Sequence, residues 1–293
     1  MNGEPMAHRA DTSRPVSWLA PSAARALRFA PADPRPGRYR TDFSVVTVAM
    51  DADRPGGWMV LLDDVLASYV DLADPTHLEF EYTRWMADII DELPPGGLRV
   101  LHLGGAACTL AVYLQLRRPD SRQLVVEYDA TLIDLMRQQF GIRSSRRLKI
   151  THRDALDALR AAPTGGYDII IRDAFNGATT PDHLHGPQFA AEVRRALAGD
   201  GIYLANIGDR PGLALTRELL AHTASAFDLN RELARDGRLA FICEPSVLRG
   251  RRLGNVVVTA SAARLPLDGW FTATRRAALP ARVTHGERLT QYL

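Results

Sequence analysis

The 293-residue sequence lacks several features that mark particular classes of protein. No stretch approaches about eighteen uninterrupted apolar residues, so we predict no transmembrane helix. The N-terminal residues lack the basic-then-apolar order of a secretory signal. Lys149 is the only lysine, and the many arginines form no cluster interleaved with aromatic residues. These absences argue against a membrane protein and against a nucleic-acid-binding groove.

Cysteine is also scarce. The two cysteines, Cys108 and Cys243, lie in apolar stretches and have no neighbour at CxxC spacing, so we predict reduced core residues in a cytoplasmic protein. The net charge is +2, and the composition, 46% hydrophobic and 24% charged, is typical of a soluble globular chain. The length allows one large domain, or a main domain with a smaller one attached.

The sequence divides into three regions. Residues 1–40 are rich in proline, alanine and arginine, and we expect a disordered or loosely docked tail. Residues 41–93 contain short apolar runs around the hairpin-like turn "DADRPGG", followed by a helical pattern, which predicts a small antiparallel β region plus a helix. "PPGG" ends that helix and opens a third region, residues 94–293.

Strand and helix patterns alternate through this third region. The predicted strands are "LRVLHL", "QLVVEY", "LKIT", "YDIIIRD" and "GIYLANI", and helices are predicted to begin near Cys108, Ala130, Asp154, Gln188 and Leu213. Such alternation is typical of an open, mainly parallel α/β sheet with helices on both faces. "RLAFICEP" and "GNVVVTAS" predict further strands that close one edge. Ligands of such sheets bind beyond the carboxyl ends of the strands.

Two of these strand ends predict a nucleoside-binding site. The first strand ends in Gly104 and Gly105, which allow the backbone to approach a ligand closely. Glu127 follows about twenty residues later, a spacing at which a carboxylate can accept hydrogen bonds from both ribose hydroxyls. Close packing between helix and strand is the alternative explanation for the glycines.

Two further acids leave alternatives open. Asp154 follows the third strand and can either cap the next helix or accept a hydrogen bond from an adenine amino group. Asp173 ends the fourth strand, where a substrate would bind, but it can equally serve to order the loop that follows.

Residues 42 to about 260 resemble the spermidine synthases, or polyamine aminopropyltransferases, and the spermidine synthase-like proteins of bacteria. The resemblance is carried, in order, by "WMVLLDDVLASYVDLADPTHLEFEYTRWM", "VLHLGGAACTLA", "VVEYD", "RDALDAL", "YDIIIRDAFNG" and "ALAGDGIYLANI". Each motif alone is shared with many class I methyltransferases, and the combination is what resembles this family. It implies a class I methyltransferase-like Rossmann sheet with a small N-terminal antiparallel β region, in a transferase of polyamine biosynthesis.

The resemblance also implies roles for particular residues. Asp173 matches the catalytic base and Tyr82 the residue that orients the amine, while Glu127 and Asp154 match the ribose and adenine contacts. The implied co-substrate is decarboxylated S-adenosylmethionine, with a small-molecule amine as acceptor and no tightly bound cofactor. The family commonly forms homodimers through its β region, so a homodimer is expected.

The sequence departs from the family at the residues that bind charged amines. Ala107 stands where the glycine turn normally carries an aspartate, and Asn176 replaces a second aspartate of the catalytic loop. Two glutamines of the family are also replaced, one by Thr83 and the other within Ala67-Ser68. Because a buried, unpaired charge costs several kcal/mol, these losses predict weak binding of a doubly charged diamine.

Three functions therefore remain open. The chain transfers an aminopropyl or related alkyl group to an amine acceptor, or methylates a substrate with intact S-adenosylmethionine, or is a non-catalytic member that binds a nucleoside. No metal site is predicted, because Asp182, His183 and His185 lie in one loop without a third ligand at useful spacing.

Overall fold

Four short strands of mostly alternating burial form a small antiparallel sheet. The computed structural model describes residues 32–177, 179–229, 232, 234–277 and 280–293. The strands are β1 (Gly37–Arg40), β2 (Val45–Met50), β3 (Gly57–Leu62) and β4 (Val65–Asp71), paired in that order. The predicted "DADRPGG" turn joins β2 to β3, as expected. The predicted loose tail falls mostly on residues 1–31, outside the described residues, while its last four residues form β1.

The second sheet has eight strands in the order β12-β10-β11-β9-β8-β5-β6-β7. Their bounds are β5 (Arg99–Leu103), β6 (Arg122–Glu127), β7 (Leu148–His152), β8 (Tyr167–Arg172), β9 (Leu197–Asp209), β10 (Leu239–Cys243), β11 (Gly254–Ser261) and β12 (Arg282–His285). Strands β5 to β9 are parallel, and β10 to β12 add an antiparallel edge. The predicted mainly parallel sheet is confirmed. Sequence patterns missed β12, which has only four residues.

Helices cover both faces of this sheet. They are α1 (Glu81–Asp91), α2 (Thr109–Arg117), α3 (Ala130–Phe140), α4 (Ala155–Arg160), α5 (Pro187–Ala196), α6 (Ala214–Ala226), α7 (Pro245–Leu248) and α8 (Leu267–Arg276). Side chains alternate along β5, so Leu101 and Leu103 pack with α4, α5 and α6, whereas Val100 packs with α1 and α8. No described helix has both the length and the apolar content needed to cross a membrane.

Helix α1 is fixed against the large sheet by its apolar side and by one hydrogen bond. Met86, Ile89 and Ile90 are buried in the same core cluster as β8 residues. The indole Nε1 of Trp270, on α8, donates a hydrogen bond of 2.9 Å to the backbone carbonyl of Trp85. This packing gives Tyr82, near the start of α1, a defined position relative to the end of β8.

The order of the strands creates one switch point in the sheet. The chain runs from β5 outward to β6 and β7, and then returns to place β8 on the other side of β5. The carboxyl ends of β5 and β8 are therefore neighbours, and the chain leaves them in opposite directions. Open α/β sheets bind their ligands at such a switch point. Gly104 follows β5 there and Asp173 follows β8.

Candidate active site

The glycine turn and Asp173 are in direct backbone contact. Gly104 has a φ of +98°, and a Cβ atom at this position would lie 2.2 Å from the carbonyl oxygen of Asp173. The Asp173 N–H donates to the carbonyl of Leu103 at 2.9 Å. Glycine is thus required at position 104 both for its positive φ and for this close approach.

Glu127 accepts hydrogen bonds from four backbone N–H groups, two of which belong to the glycine turn. Its Oε2 accepts hydrogen bonds from Gly105 at 3.0 Å and Ala106 at 2.9 Å, and its Oε1 accepts from Tyr128 at 2.8 Å and Asp129 at 3.1 Å. A carboxylate has about four lone-pair positions. Ribose hydroxyls that donate to Glu127 would therefore compete with these N–H groups for its oxygens, or share the oxygens with them.

Ala107 lies in the strained part of the turn. Its neighbours Ala106 and Cys108 have positive φ values of 36° and 55°, a region that costs side-chain-bearing residues about 1–2 kcal/mol. The Ala107 side chain is buried, and its N–H donates to the Ser68 hydroxyl on β4 at 3.3 Å. The position at which the resemblance expects an aspartate thus faces the four-stranded sheet.

A cavity of about 300 Å³ adjoins Ala107. Its lining includes one buried acid, Asp71, together with His77 and Thr109. Asp71 pairs with Arg54 and accepts hydrogen bonds of 2.8 Å from two following backbone N–H groups, so its charge is already compensated. Asp173 and Glu127 are not among the residues that line this cavity.

Asp173 is a half-buried carboxyl with few charged partners. Burial raises its pKa above the ordinary value, and three weaker influences oppose this shift: hydrogen bonds from Asn206 and Tyr82 and the positive charge of Arg172. The Asn206 amide donates to Oδ1 at 2.9 Å. A carboxyl with a raised pKa is better matched to accepting a proton near neutral pH than an ordinary aspartate.

Tyr82 is buried at the second residue of α1, within reach of Asp173. Burial, and then the negative charge of Asp173, raise the pKa of the phenol well above its usual value. Tyr82 therefore stays protonated at neutral pH and acts as a hydrogen-bond donor. The structure brings Tyr82, Asp173 and the glycine turn together at the switch point.

Asp154 caps helix α4, one of the two alternatives left open by the sequence. Its Oδ1 accepts hydrogen bonds from the N–H groups of Leu156 at 2.8 Å and Asp157 at 3.0 Å. Its Oδ2 lies 2.9 Å from Nε2 of His183. Burial raises the pKa of Asp154, but the hydrogen bonds from Asp157 and His183 outweigh it, so the net shift is downward. A nucleoside contact stays a prediction.

Asn176 forms a tight turn with Thr179. Their backbones exchange hydrogen bonds of 2.8 and 3.2 Å, and Gly177 between them has a φ of +60°. The Asn176 side chain is exposed. No carboxylate is supplied at this position of the loop.

Sequence patterns missed Asn206, although a signal was present. Asn206 is a polar residue inside the apolar strand "GIYLANI", and the pairing of Arg172 with Ala205 places it beside Asp173. Arg172 was also missed: it is fully buried, and its guanidinium donates to the carbonyls of Leu184 and Asn206. By contrast, His102 is a buried core histidine whose ring Nε2 lies 2.9 Å from Oε1 of Gln123.

Comparison with known proteins agrees with this architecture. The sheet and its switch point define a methyltransferase-like α/β protein: a human methyltransferase-like protein 13 in complex with SAH shares the fold, with a TM-score of 0.54 and 21% identity over 67% of this chain and 91% of that one. A spermine/spermidine synthase domain model matches residues 79–223.

A probable spermidine synthase from Corynebacterium glutamicum is 31% identical over 89% of this chain and 94% of its own, with a TM-score of 0.81. The chain belongs to the spermine/spermidine synthase family. A polyamine aminopropyltransferase of Streptococcus uberis is 32% identical over 158 residues, 52% of each chain. The match thus spans about half the length of such curated relatives.

We expect Gly104→Ala to destabilise the protein by about 3 kcal/mol or more, because the new methyl group overlaps the Asp173 carbonyl in addition to straining the backbone. Denaturant unfolding measures this loss. Gly165→Ala is the matched control, since Gly165 also has a positive φ but has no atom within 4 Å of the position that the new methyl group would take; it should cost only about 1 kcal/mol. Equal losses would contradict the proposed contact.

Proposed function

We propose that this protein transfers an aminopropyl or related alkyl group from decarboxylated S-adenosylmethionine to an amine acceptor, with Asp173 as the base. The observation that carries the proposal is the half-buried Asp173 carboxyl at the switch point, with its raised pKa and its contacts to Asn206 and Tyr82. Family membership supports the reaction class.

The chemistry requires a neutral amine. An alkylammonium, with a reference pKa of about 10, becomes nucleophilic only after it loses a proton. Asp173 accepts that proton while the amine nitrogen forms a bond to the carbon beside the sulfonium; the carbon–sulfur bond breaks, and its electrons neutralise the sulfur. Tyr82, protonated and buried, orients the amine.

The acceptor is expected to carry less charge than putrescine. Position 107 carries a methyl group, position 176 an exposed amide, and the nearby Asp71 carboxylate is already paired with Arg54. A second ammonium group would therefore meet no free carboxylate at these positions. A monoamine, or an amine with a distant second charge, suits the site better.

Methyl transfer is the second candidate, and Ala107 favours it. Without an aspartate at this position, no negative charge in the turn repels the carboxylate of intact S-adenosylmethionine. The same switch-point site then holds the full methionine group. Asp173 would serve equally well as a base for methylation of an amine.

Calorimetric titration of the purified protein with decarboxylated S-adenosylmethionine, S-adenosylmethionine and methylthioadenosine separates these functions. We expect the decarboxylated form or methylthioadenosine to bind more tightly than intact S-adenosylmethionine, and putrescine added afterwards to bind weakly. Preference for the intact form would favour methyl transfer. If none of the three binds, the glycine turn is only a structural element, and both proposed enzymatic functions are rejected.

Asp173→Asn is expected to reduce kcat/KM at least about 100-fold, the usual contribution of a general base, while nucleoside binding is retained.

The same variant should be more stable than wild type at pH 8. Because folding raises the Asp173 pKa, the ionised carboxyl lowers stability as pH rises through that pKa, and asparagine removes this loss. Steady-state rates and thermal melting measure the two effects; unchanged activity would reject Asp173 as the base.

Asn206→Ala is expected to shift the acid limb of the kcat/KM profile to higher pH. The Asn206 amide stabilises the ionised form of Asp173, so its removal raises the Asp173 pKa further. Asn255→Ala, an amide on the neighbouring strand β11, is the control and should leave the limb in place. An unmoved limb in Asn206→Ala would show that another group titrates.

The homodimer implied by the resemblance stays a proposal. Within the described residues β4 pairs only with β3, and its Val65 and Leu66 are each 44% exposed. An unpaired, apolar strand edge is suited to pairing with a second copy.

A further inference from the structure

Three side chains of types that can bind a metal ion lie close together at the end of the loop that follows Asp173. His185 lies just after a short 3-10 helix (Asp182–Leu184), and Glu218 and His222 are one turn apart on α6. One ligand atom from each of the three lies within 4.8 Å of the others. The sequence spacing did not indicate a third ligand for this loop, because Glu218 and His222 lie on a helix more than thirty residues further along the chain.

The separation of His185 and Glu218 suits a shared ion. Nδ1 of His185 lies 3.6 Å from Oε1 of Glu218, too far for a good hydrogen bond. Two ligand atoms bound to one tetrahedral zinc ion at about 2.0–2.1 Å are about 3.4 Å apart.

His222 has the hydrogen bond that commonly orients a metal-binding histidine. Its Nδ1 lies 3.1 Å from the backbone carbonyl oxygen of His185. A carbonyl only accepts, so Nδ1 must carry the proton, and the lone pair of the neutral ring is left on Nε2. Backbone carbonyls fix the ring and tautomer of zinc-bound histidines in this way.

We propose that His185, Glu218 and His222 bind one divalent transition-metal ion of the zinc type. Two imidazoles and one carboxylate leave a fourth position for water. Glu218 supplies the negative charge, which offsets the nearby buried Arg172. The ion ties the loop carrying His183 to α6. This site does not depend on the proposed transfer reaction.

Metal binding to the chelator-treated full chain tests the site. Titration with Co²⁺ should give the visible absorption of a tetrahedral or five-coordinate ion without thiolate bands, at one ion per chain, and Zn²⁺ should displace it. Glu218→Gln and His222→Ala should each weaken binding at least about tenfold. His183→Gln is the matched control from the same loop, because His183 pairs with Asp154 instead, and it should bind as wild type does.

Hydrogen exchange provides a second readout. Zn²⁺ should slow exchange in residues 182–186 of the wild type and have no such effect on Glu218→Gln, whose side chain is 53% exposed and whose substitution preserves shape. Melting curves without metal check that each variant is folded. Absence of stoichiometric binding, or binding that Glu218→Gln and His222→Ala leave unchanged, overturns the proposal.

Discussion

The contact between the glycine turn and the backbone of Asp173 is the constraint on which the candidate site depends. At the switch point, β5 and β8 are hydrogen-bonded neighbours, so the chain leaves their carboxyl ends from points about one strand spacing apart. Only a residue without a side chain fits at position 104. Gly104 therefore helps to determine where the side chain of Asp173 begins.

The acidic side chains near this contact differ in how far their charges are already compensated. Asp173 is half-buried, and among the described residues its polar partners are the amide of Asn206, the phenol of Tyr82 and the nearby charge of Arg172. Glu127 is saturated by backbone donors, and Asp71 is paired with Arg54. Among these three acids, Asp173 has the fewest direct charged partners, which supports its proposed role as the base.

The loop after Asp173 links several parts of the molecule. Arg172 holds the carbonyl of Leu184, His183 contacts the helix cap Asp154, and His185 meets α6. Each contact joins the loop to a different element of the sheet's carboxyl edge. Movement of this loop would therefore change the surroundings of Asp173, of the predicted nucleoside site and of the proposed metal site together.

Much of the fold could be predicted from the sequence, because hydrophobic periodicity and glycine–proline turns are local properties. The strands from β5 to β11, the small antiparallel sheet and the placement of Gly104, Glu127 and Asp173 at strand ends all followed from such patterns. The four-residue β12 could not, since it is too short to show a period.

The sequence by itself determined which chemical groups stand at the strand ends, and that acids are missing at positions 107 and 176. Only the tertiary structure decided which side chains meet. Asn206 reaches Asp173 through the register of β8 and β9, and His185 meets Glu218 and His222 through the packing of a loop on α6. Such neighbours are set by strand order and helix packing, which bring together residues that no local spacing relates.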